Sequence, residues 1–352
     1  AVAPSKDANG NKGINNCTSD NGSPVPTILE LAKAAGKSVG AVTTTELTHA
    51  TPAATYSHIC HRDAAYAIAE QAVPGGAGFN QALGDGVDVL MGGGANHWTP
   101  YSASNKGGRA DGRDLTAELT ARGYRYVTTK DELSAVNSGK VLGLFSTKSH
   151  LDYELDRVAK GAASTQPSLS EMTAKAIDLL SQNSQGYFLM VEGGRIDHAL
   201  HATNAKRSLT DAVALDEAVK TALGKVDLSD TLIVVTADHD HTMTINGYSA
   251  KGNKVLDLVK NADGSTQNDA DGKPFTTLVF GNGPNRQDQR PTLTSDEVMA
   301  DDYLQETGVK LGSETHGGGD VMLFAGGAGS SQFKGTLDNT RVFGKLREAL
   351  GL

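Results

Sequence analysis

Short aliphatic runs alternate with longer amphipathic segments along most of this 352-residue chain. The runs are rich in β-branched residues and lack an alternation of apolar with polar positions. That pattern is typical of strands that are buried on both faces of a sheet. The runs predict strands at residues 38–44, 87–93, 140–146, 186–192, 231–237, 276–282 and 320–326.

The segments between these runs carry helix signals. Residues 26–36 have a proline at their start and a glycine at their end, and Ser168 with Glu171 has the spacing of a capping box that opens a helix at 168–183. Apolar spacing predicts two more helices at 204–226 and 340–352. The alternation of strands and helices predicts an α/β fold with a doubly wound, mostly parallel central sheet and helices on both faces.

Residues 242–315 interrupt the alternation. The stretches 260–274 and 281–291 within them are polar and rich in turn-forming residues. We interpret 242–315 as an irregular insertion into a single α/β domain spanning residues 1–352, and not as a second domain.

The charge of the chain narrows the range of partners, and its cysteines bear on disulfide formation. The chain has 32 Lys and Arg against 41 Asp and Glu, a formal net charge of −9. This balance argues against nucleic acid or an anionic membrane as the main partner. The two cysteines, Cys17 and Cys60, are compatible with one disulfide, as in exported proteins, or with two buried thiols.

Acids and histidines are concentrated where predicted strands end. Glu192 closes one strand, and Asp197, His198 and His201 follow it within nine residues. Asp197 and His201 are four residues apart, so on a helix they share a face. Ligands of open α/β sheets bind beyond the carboxyl ends of the strands. This segment is therefore a candidate site.

Three other segments have the same character. Asp238 and His239 follow strand 231–237, and His49 and Thr51 follow strand 38–44. His316 precedes strand 320–326, which favours an antiparallel direction for that strand. If these segments share one sheet edge, their side chains would meet at a common site.

Each segment alone has an ordinary structural explanation, because a single histidine in a turn is usually solvated and an acid at a strand end often caps a helix. The concentration of histidines favours a metal site instead. Eight of the ten lie in or beside these segments, at positions 49, 58, 61, 198, 201, 239, 241 and 316. Mixed His and carboxylate ligands suit zinc, whereas the all-oxygen pair of Thr51 and Glu192 suits magnesium. Several such ions together are typical of displacement at phosphorus.

The order of the motifs THATPA, VEGGRIDHALHATN, TADHDHT and THGGGD resembles that of the alkaline phosphatase family, over nearly the whole chain. The resemblance implies a doubly wound fold, two zinc ions, one magnesium ion and a homodimer in the periplasm or outside the cell. It further implies hydrolysis of phosphate monoesters through a phosphoserine intermediate.

The resemblance also assigns roles to individual positions. It implies one zinc on Asp197, His201 and His316, a second on Asp238 and His239, and magnesium on Thr51 and Glu192, with His49 beside it. Arg62 matches the arginine that grips the substrate phosphate through paired hydrogen bonds, and His198 matches a residue that reaches the phosphate through water.

The nucleophile of the family has no counterpart. No Asp-Ser dipeptide occurs in the sequence, and no residue before position 43 matches the aspartate that would bridge the second zinc and the magnesium. We expect a preceding portion of the protein or a second chain to supply both. A truncated, inactive protein is a third option.

Two further readings remain open. A phosphodiesterase or sulfatase of the same superfamily would also carry acid and histidine ligands on this fold. The complete three-metal set favours a monoesterase, because Thr51 and Glu192 would have no role in a two-zinc enzyme. A non-catalytic metal-binding fragment is the other alternative.

Overall fold

A five-stranded parallel sheet forms the centre of the computed structural model, which describes residues 23–352. Its strands lie in the order β3–β4–β2–β1–β5. They are β1 (Ser38–Glu46), β2 (Val89–Gly93), β3 (Arg125–Val127), β4 (Val141–Leu144) and β5 (Tyr187–Glu192). Four of the five were predicted. The sequence has no apolar run for β3, because this edge strand is only three residues long and only Val127 in it is buried.

Helices cover both faces of this sheet. Within β1, Val39 and Ala41 pack into one apolar cluster, and Val42 packs into another on the opposite face. The first cluster includes side chains from α1 (Ile28–Ala34), α2 (Ala50–Tyr56), α3 (Ala65–Gln71) and α4 (Leu115–Ala121). The second includes side chains from α5 (Lys130–Ser134), α7 (Leu169–Leu180) and α9 (Ala205–Leu223). The predicted doubly wound α/β architecture is confirmed.

Helix boundaries follow the local signals closely. The capping box predicted for α7 forms, with Ser168 accepting from the backbone of Glu171 and the Glu171 side chain accepting from Ser168. A second box, between Thr27 and Glu30, opens α1. The remaining helices are α6 (Glu154–Ala159), α8 (Arg195–His201), α10 (Ser295–Val298) and α11 (Thr340–Ala349).

The later strands form separate small sheets. The strand β6 (Leu232–Thr236) pairs antiparallel with β12 (Leu323–Gly327), and β7 (Asp240–His241) pairs antiparallel with β11 (His316–Gly317). The predicted strands at 231–237 and 320–326 therefore form, but outside the central sheet, and the antiparallel direction expected for the last strand is confirmed.

Residues 242–315 are more regular than their composition predicts. They contain a three-stranded sheet in the order β10–β9–β8, made of β8 (Met243–Ile245), β9 (Leu278–Gly283) and β10 (Thr307–Lys310). Between them, residues 258–276 form a hairpin-like excursion that closes where Val259 donates to the carbonyl of Phe275 at 2.9 Å. Of the strands in this small sheet only β9 was predicted, at 276–282, because the segments that form β8 and β10 are only 3 and 4 residues long.

Among the strands that have a neighbour on one side only within residues 23–352 are β5 and β6. β5 lies at the end of the central sheet, and all six of its residues are half-buried although most are apolar. β6 is paired on one side only, and its four aliphatic residues are likewise half-buried.

Cys60 is disulfide-bonded, whereas Cys17 lies outside the described residues. Within residues 23–352, no helix has the length and apolarity needed to cross a lipid bilayer.

Candidate metal centre

A tight connection brings α8 close to the end of β5. Glu192 ends the strand, two glycines follow, and the helix begins at Arg195. A Cβ atom on Gly194 would lie 2.4 Å from Cγ2 of Thr45 and 2.8 Å from the carboxyl carbon of Glu192. A side chain at Gly194 would therefore push the helix away from the strand end that holds the site.

Three side chains predicted to share a zinc converge at this place. Oδ1 of Asp197 lies 3.4 Å from Nε2 of His201 and 3.5 Å from Nε2 of His316. The two imidazole Nε2 atoms are 3.1 Å apart. Tetrahedral zinc with bonds of about 2.0–2.1 Å holds its ligand atoms roughly 3.3 Å from one another. The donor set and its spacing therefore fit a zinc ion.

The orientation of His201 also suits a metal ligand. Its Nδ1 donates to the carbonyl oxygen of Glu314 at 2.6 Å, so Nε2 keeps its lone pair and faces Asp197 and His316. Metal-binding histidines commonly use the other ring nitrogen in this way. His316 is brought to the site by tertiary pairing, since β11 places it opposite His241 on β7.

Two residues given no role from the sequence support this cluster. His241 donates from Nε2 to Asp197 at 2.9 Å and from Nδ1 to Glu314 at 2.7 Å. The side chain of Glu314 is fully buried and also accepts from the backbone and hydroxyl of Thr242, at 2.6 and 2.7 Å. His241 is two residues from His239, so an extended backbone puts both on one face, and that spacing is the signal that could have indicated it. No local pattern indicates Glu314.

The charges of this group are strongly coupled. Burial by itself raises the pKa of Asp197, but the hydrogen bond from His241 and the nearby histidines hold that pKa at about 2. Burial lowers the pKa of His241, yet its bonds to Asp197 and Glu314 raise it above its usual value. Asp197 is therefore an ionised carboxylate, as a metal ligand must be.

The second predicted pair is incomplete. Nε2 of His239 lies 3.5 Å from Oδ2 of Asp238 and 3.7 Å from Oδ1 of Asp197. The His239 ring stacks on that of His316, with centroids 3.5 Å apart. Two ligands do not fill a zinc coordination shell, so a further ligand would be needed here.

Glu192 lies among hydroxyl groups. It accepts from Thr43 at 2.6 Å and Thr45 at 3.3 Å, and it is also hydrogen-bonded to Thr51. Burial, helped by the charge of Asp238, raises the pKa of Glu192 above its usual value, although the hydroxyl donors oppose this rise. An all-oxygen environment of this kind fits magnesium, and the influence of Asp238 shows that the ends of β5 and β6 lie near one another.

The remaining predicted residues gather beside Arg62. Nη2 of Arg62 donates to Nε2 of His49 at 3.4 Å, and the His49 ring centroid lies 5.2 Å from that of His198. His150, which the sequence did not indicate, packs 4.3 Å from His198. Burial and nearby positive groups lower the pKa of His150 to about 3 and of His198 to about 4. Two groups of converging His and carboxylate atoms occur among residues 23–352, and His49 is in neither of them. They are Asp197 with His239, His241 and His316, and His201 with His241 and Glu314.

The fold and this site together define a class: an α/β protein with a cluster of histidines and carboxylates at the carboxyl ends of its strands, where open α/β sheets bind ligands. Comparison with known proteins identifies the family. The profile described as "Alkaline phosphatase" matches residues 6–352, and the chain belongs to the alkaline phosphatase family.

The individual relatives agree. The chain is 40% identical over 338 residues to the tissue-nonspecific alkaline phosphatase of Gallus gallus, covering 88% of this chain and 63% of the relative, so it spans less than two thirds of that protein. The Thermus thermophilus alkaline phosphatase structure is 38% identical with a TM-score of 0.57, covering 65% of this chain and 45% of that one. The alkaline phosphatase structure from the Antarctic bacterium TAB5 has a TM-score of 0.62, covering 97% and 81%; at 24% identity it supports the fold alone.

Proposed function

We propose that the intact protein hydrolyses phosphate monoesters and releases inorganic phosphate by a metal-dependent alkaline phosphatase mechanism. The observation that carries this proposal is the convergence of Asp197, His201 and His316, whose ligand atoms lie 3.1–3.5 Å apart. A test compares turnover of an aryl phosphate monoester with that of a diester and a sulfate ester. Faster turnover of the diester would favour a phosphodiesterase, and faster turnover of the sulfate ester would favour a sulfatase.

The donor sets support two zinc ions and one magnesium ion. Asp197, His201 and His316 would hold one zinc, and Asp238 with His239 would contribute to the second. Thr51 and Glu192 would hold magnesium. Bound there, these ions would supply Lewis-acid stabilisation of the charge that develops on phosphoryl oxygens.

The chain's own residues would bind and orient the substrate. Arg62 is hydrogen-bonded to His49, and its planar guanidinium can donate two hydrogen bonds to phosphate oxygens. His198 follows Asp197 on α8, packs against the His49 ring and would contact the phosphate through water. His241 and Glu314 would fix the position of Asp197.

A nucleophilic serine and a bridging carboxylate would come from a segment that precedes these residues or from a second chain. The half-buried apolar residues of β5 and β6 support this, because within residues 23–352 each strand has a neighbour on one side only and their carboxyl ends lie close together. Open edges of this kind are templates for another strand. Intact mass and N-terminal sequencing of the purified protein, with zinc analysis and turnover on the same sample, test the idea. Metal binding without turnover in a protein of this length would favour the non-catalytic alternative.

We further propose a homodimer that is periplasmic or secreted. The disulfide at Cys60 supports an oxidising compartment. Ile245 and Tyr248, within the 242–315 segment, are 70% and 98% exposed, which suits an assembly surface.

The 242–315 segment is expected to control assembly or access to the site and not metal binding. Because Val259 and Phe275 are hydrogen-bonded, residues 260–274 can be replaced by an Asn-Gly turn without stretching the chain. We expect zinc content to stay unchanged while oligomeric state or substrate range changes. Elemental analysis measures the zinc content, and light scattering measures the oligomeric state. Loss of zinc with unchanged assembly would contradict the expectation.

Arg62→Ala is expected to raise both KM and the inhibition constant for phosphate by about tenfold or more, since charge-assisted hydrogen bonds contribute about 1.5–3 kcal/mol each. Metal content should not change, because Arg62 contacts His49 and no carboxylate or histidine of the zinc cluster. Arg122→Ala, at the surface end of α4, is the matched control. Unchanged phosphate affinity in Arg62→Ala would show a structural role only.

His49→Asp is expected to tighten magnesium binding, because a neutral imidazole binds Mg²⁺ poorly and a carboxylate adds a negative charge. His49 would then act through a bound water in the native protein. Magnesium titration of metal-stripped protein, native beside variant, measures the effect. Superimposable curves would place His49 outside the influence of that ion.

A further inference from the structure

Three imidazoles form a cluster that the metal assignments do not explain. The ring centroids of His49, His150 and His198 lie 4.3–5.4 Å apart, and we call them the histidine cluster. Arg62 contacts it through His49, and Arg195 contacts it through His198. The cluster is thus bordered by two guanidinium groups.

Hydrogen bonds fix which nitrogen of His150 carries the proton. The backbone N–H of Glu46, at the end of β1, donates to Nδ1 of His150 at 2.9 Å. A neutral imidazole that accepts at Nδ1 must carry its proton on Nε2. His150 therefore presents an N–H donor, and not a lone pair, at its other nitrogen. In this orientation it cannot be a metal ligand.

The position of the ring proton of His198 is fixed in the same way by a different partner. Nη1 of Arg195 lies 3.0 Å from Nδ1 of His198, and a guanidinium can only donate. The proton of His198 is consequently also on Nε2. Neither Nε2–H bonds to any other residue among those that the structure describes. Two unpaired donors from adjacent rings, next to two arginines, are the recognition elements of an oxyanion.

We propose that His150 is a phosphate-binding residue, which donates its Nε2–H to an oxygen of the same phosphate group that Arg62 grips. The inference rests on the proposed function. It adds a direct donor residue beside Arg62 that no sequence motif indicates, held in place by the main chain of β1. His150 would bind the tetrahedral anion common to substrate and product.

Two substitutions separate the donor from the backbone anchor. Asn at 150 can place its carbonyl oxygen where Nδ1 accepts from Glu46, but it has no group at the Nε2 position. Gln can place its amide N–H near the Nε2 position, but it loses the acceptor. We expect His150→Asn to weaken binding of inorganic phosphate about fivefold, the typical loss for one hydrogen bond, and His150→Gln to remain within about twofold of native.

The measurement is calorimetric titration of the zinc-loaded intact protein with inorganic phosphate, together with thermal unfolding of each variant. The opposite ranking, or native affinity in both variants, would mean that His150 only anchors Glu46 and would overturn the proposal. If both variants lost phosphate affinity equally, imidazole ¹⁵N NMR of the native protein would decide between phosphate binding and anchoring as the role of His150. Phosphate should shift the Nε2 signal of His150, while His97, buried against Thr48, serves as the internal reference. No shift at His150 would also overturn the proposal.

This readout is independent of turnover. If monoester hydrolysis were absent but phosphate binding depended on the His150 donor as described, the proposed function would fail and the inference would stand. If phosphate did not bind to the native protein at all, both would fail.

Discussion

His316→Ala in the intact protein is expected to lose one zinc ion per chain and nearly all turnover. His316 supplies one of three ligand atoms that lie 3.1–3.5 Å apart, and the other two are Asp197 and His201. A zinc ion with two protein ligands has an incomplete shell and is held much more weakly. His201→Ala should have the same effect, because its Nε2 is oriented to the same point.

Elemental analysis of the purified variants, beside turnover of an aryl phosphate, tests this expectation. His61→Asn is a suitable control, since Asn can still accept from the backbone of Asp63 as Nδ1 of His61 does, and His61 is outside the converging ligand groups. Two zinc ions per chain in His201→Ala and His316→Ala would remove both residues from the ligand set.

Glu314→Gln is expected to weaken zinc binding about 10- to 100-fold, although Glu314 is outside the proposed ligand set. The Glu314 carboxylate accepts from Nδ1 of His241, and His241 in turn donates to Asp197. A neutral amide would remove the charge that favours protonated His241, and its N–H₂ group would oppose the ring N–H. Asp197 would then lose its fixed orientation.

Zinc affinity is measured by competition with a chelator, and thermal unfolding is followed in parallel. Glu306→Gln is the matched control, because Glu306 is paired with Arg290 away from the histidines. Equal zinc affinities in native protein and Glu314→Gln would show that the buried acid only stabilises the loop before β11.

Local patterns specified most elements of the core and part of the candidate site. The Ser168–Glu171 spacing predicted the start of α7, and the aliphatic runs predicted β1, β2, β4 and β5. The Asp197–His201 spacing predicted two side chains on one helical face, which α8 provides. These features follow from interactions between residues only a few positions apart, such as a cap or a helical turn.

Tertiary structure decided the rest. The aliphatic runs of β6 and β12 were recognised as strands, but their separation from the central sheet depends on which strands pair, and an apolar run does not specify its neighbour. Glu314 reaches Asp197 through His241, and His150 packs beside His49 and His198 because β1 donates a backbone N–H to it. The sequence by itself determined the elements and the ligand types; long-range pairing determined which of those side chains meet, because contacts between distant segments leave no periodicity in either segment.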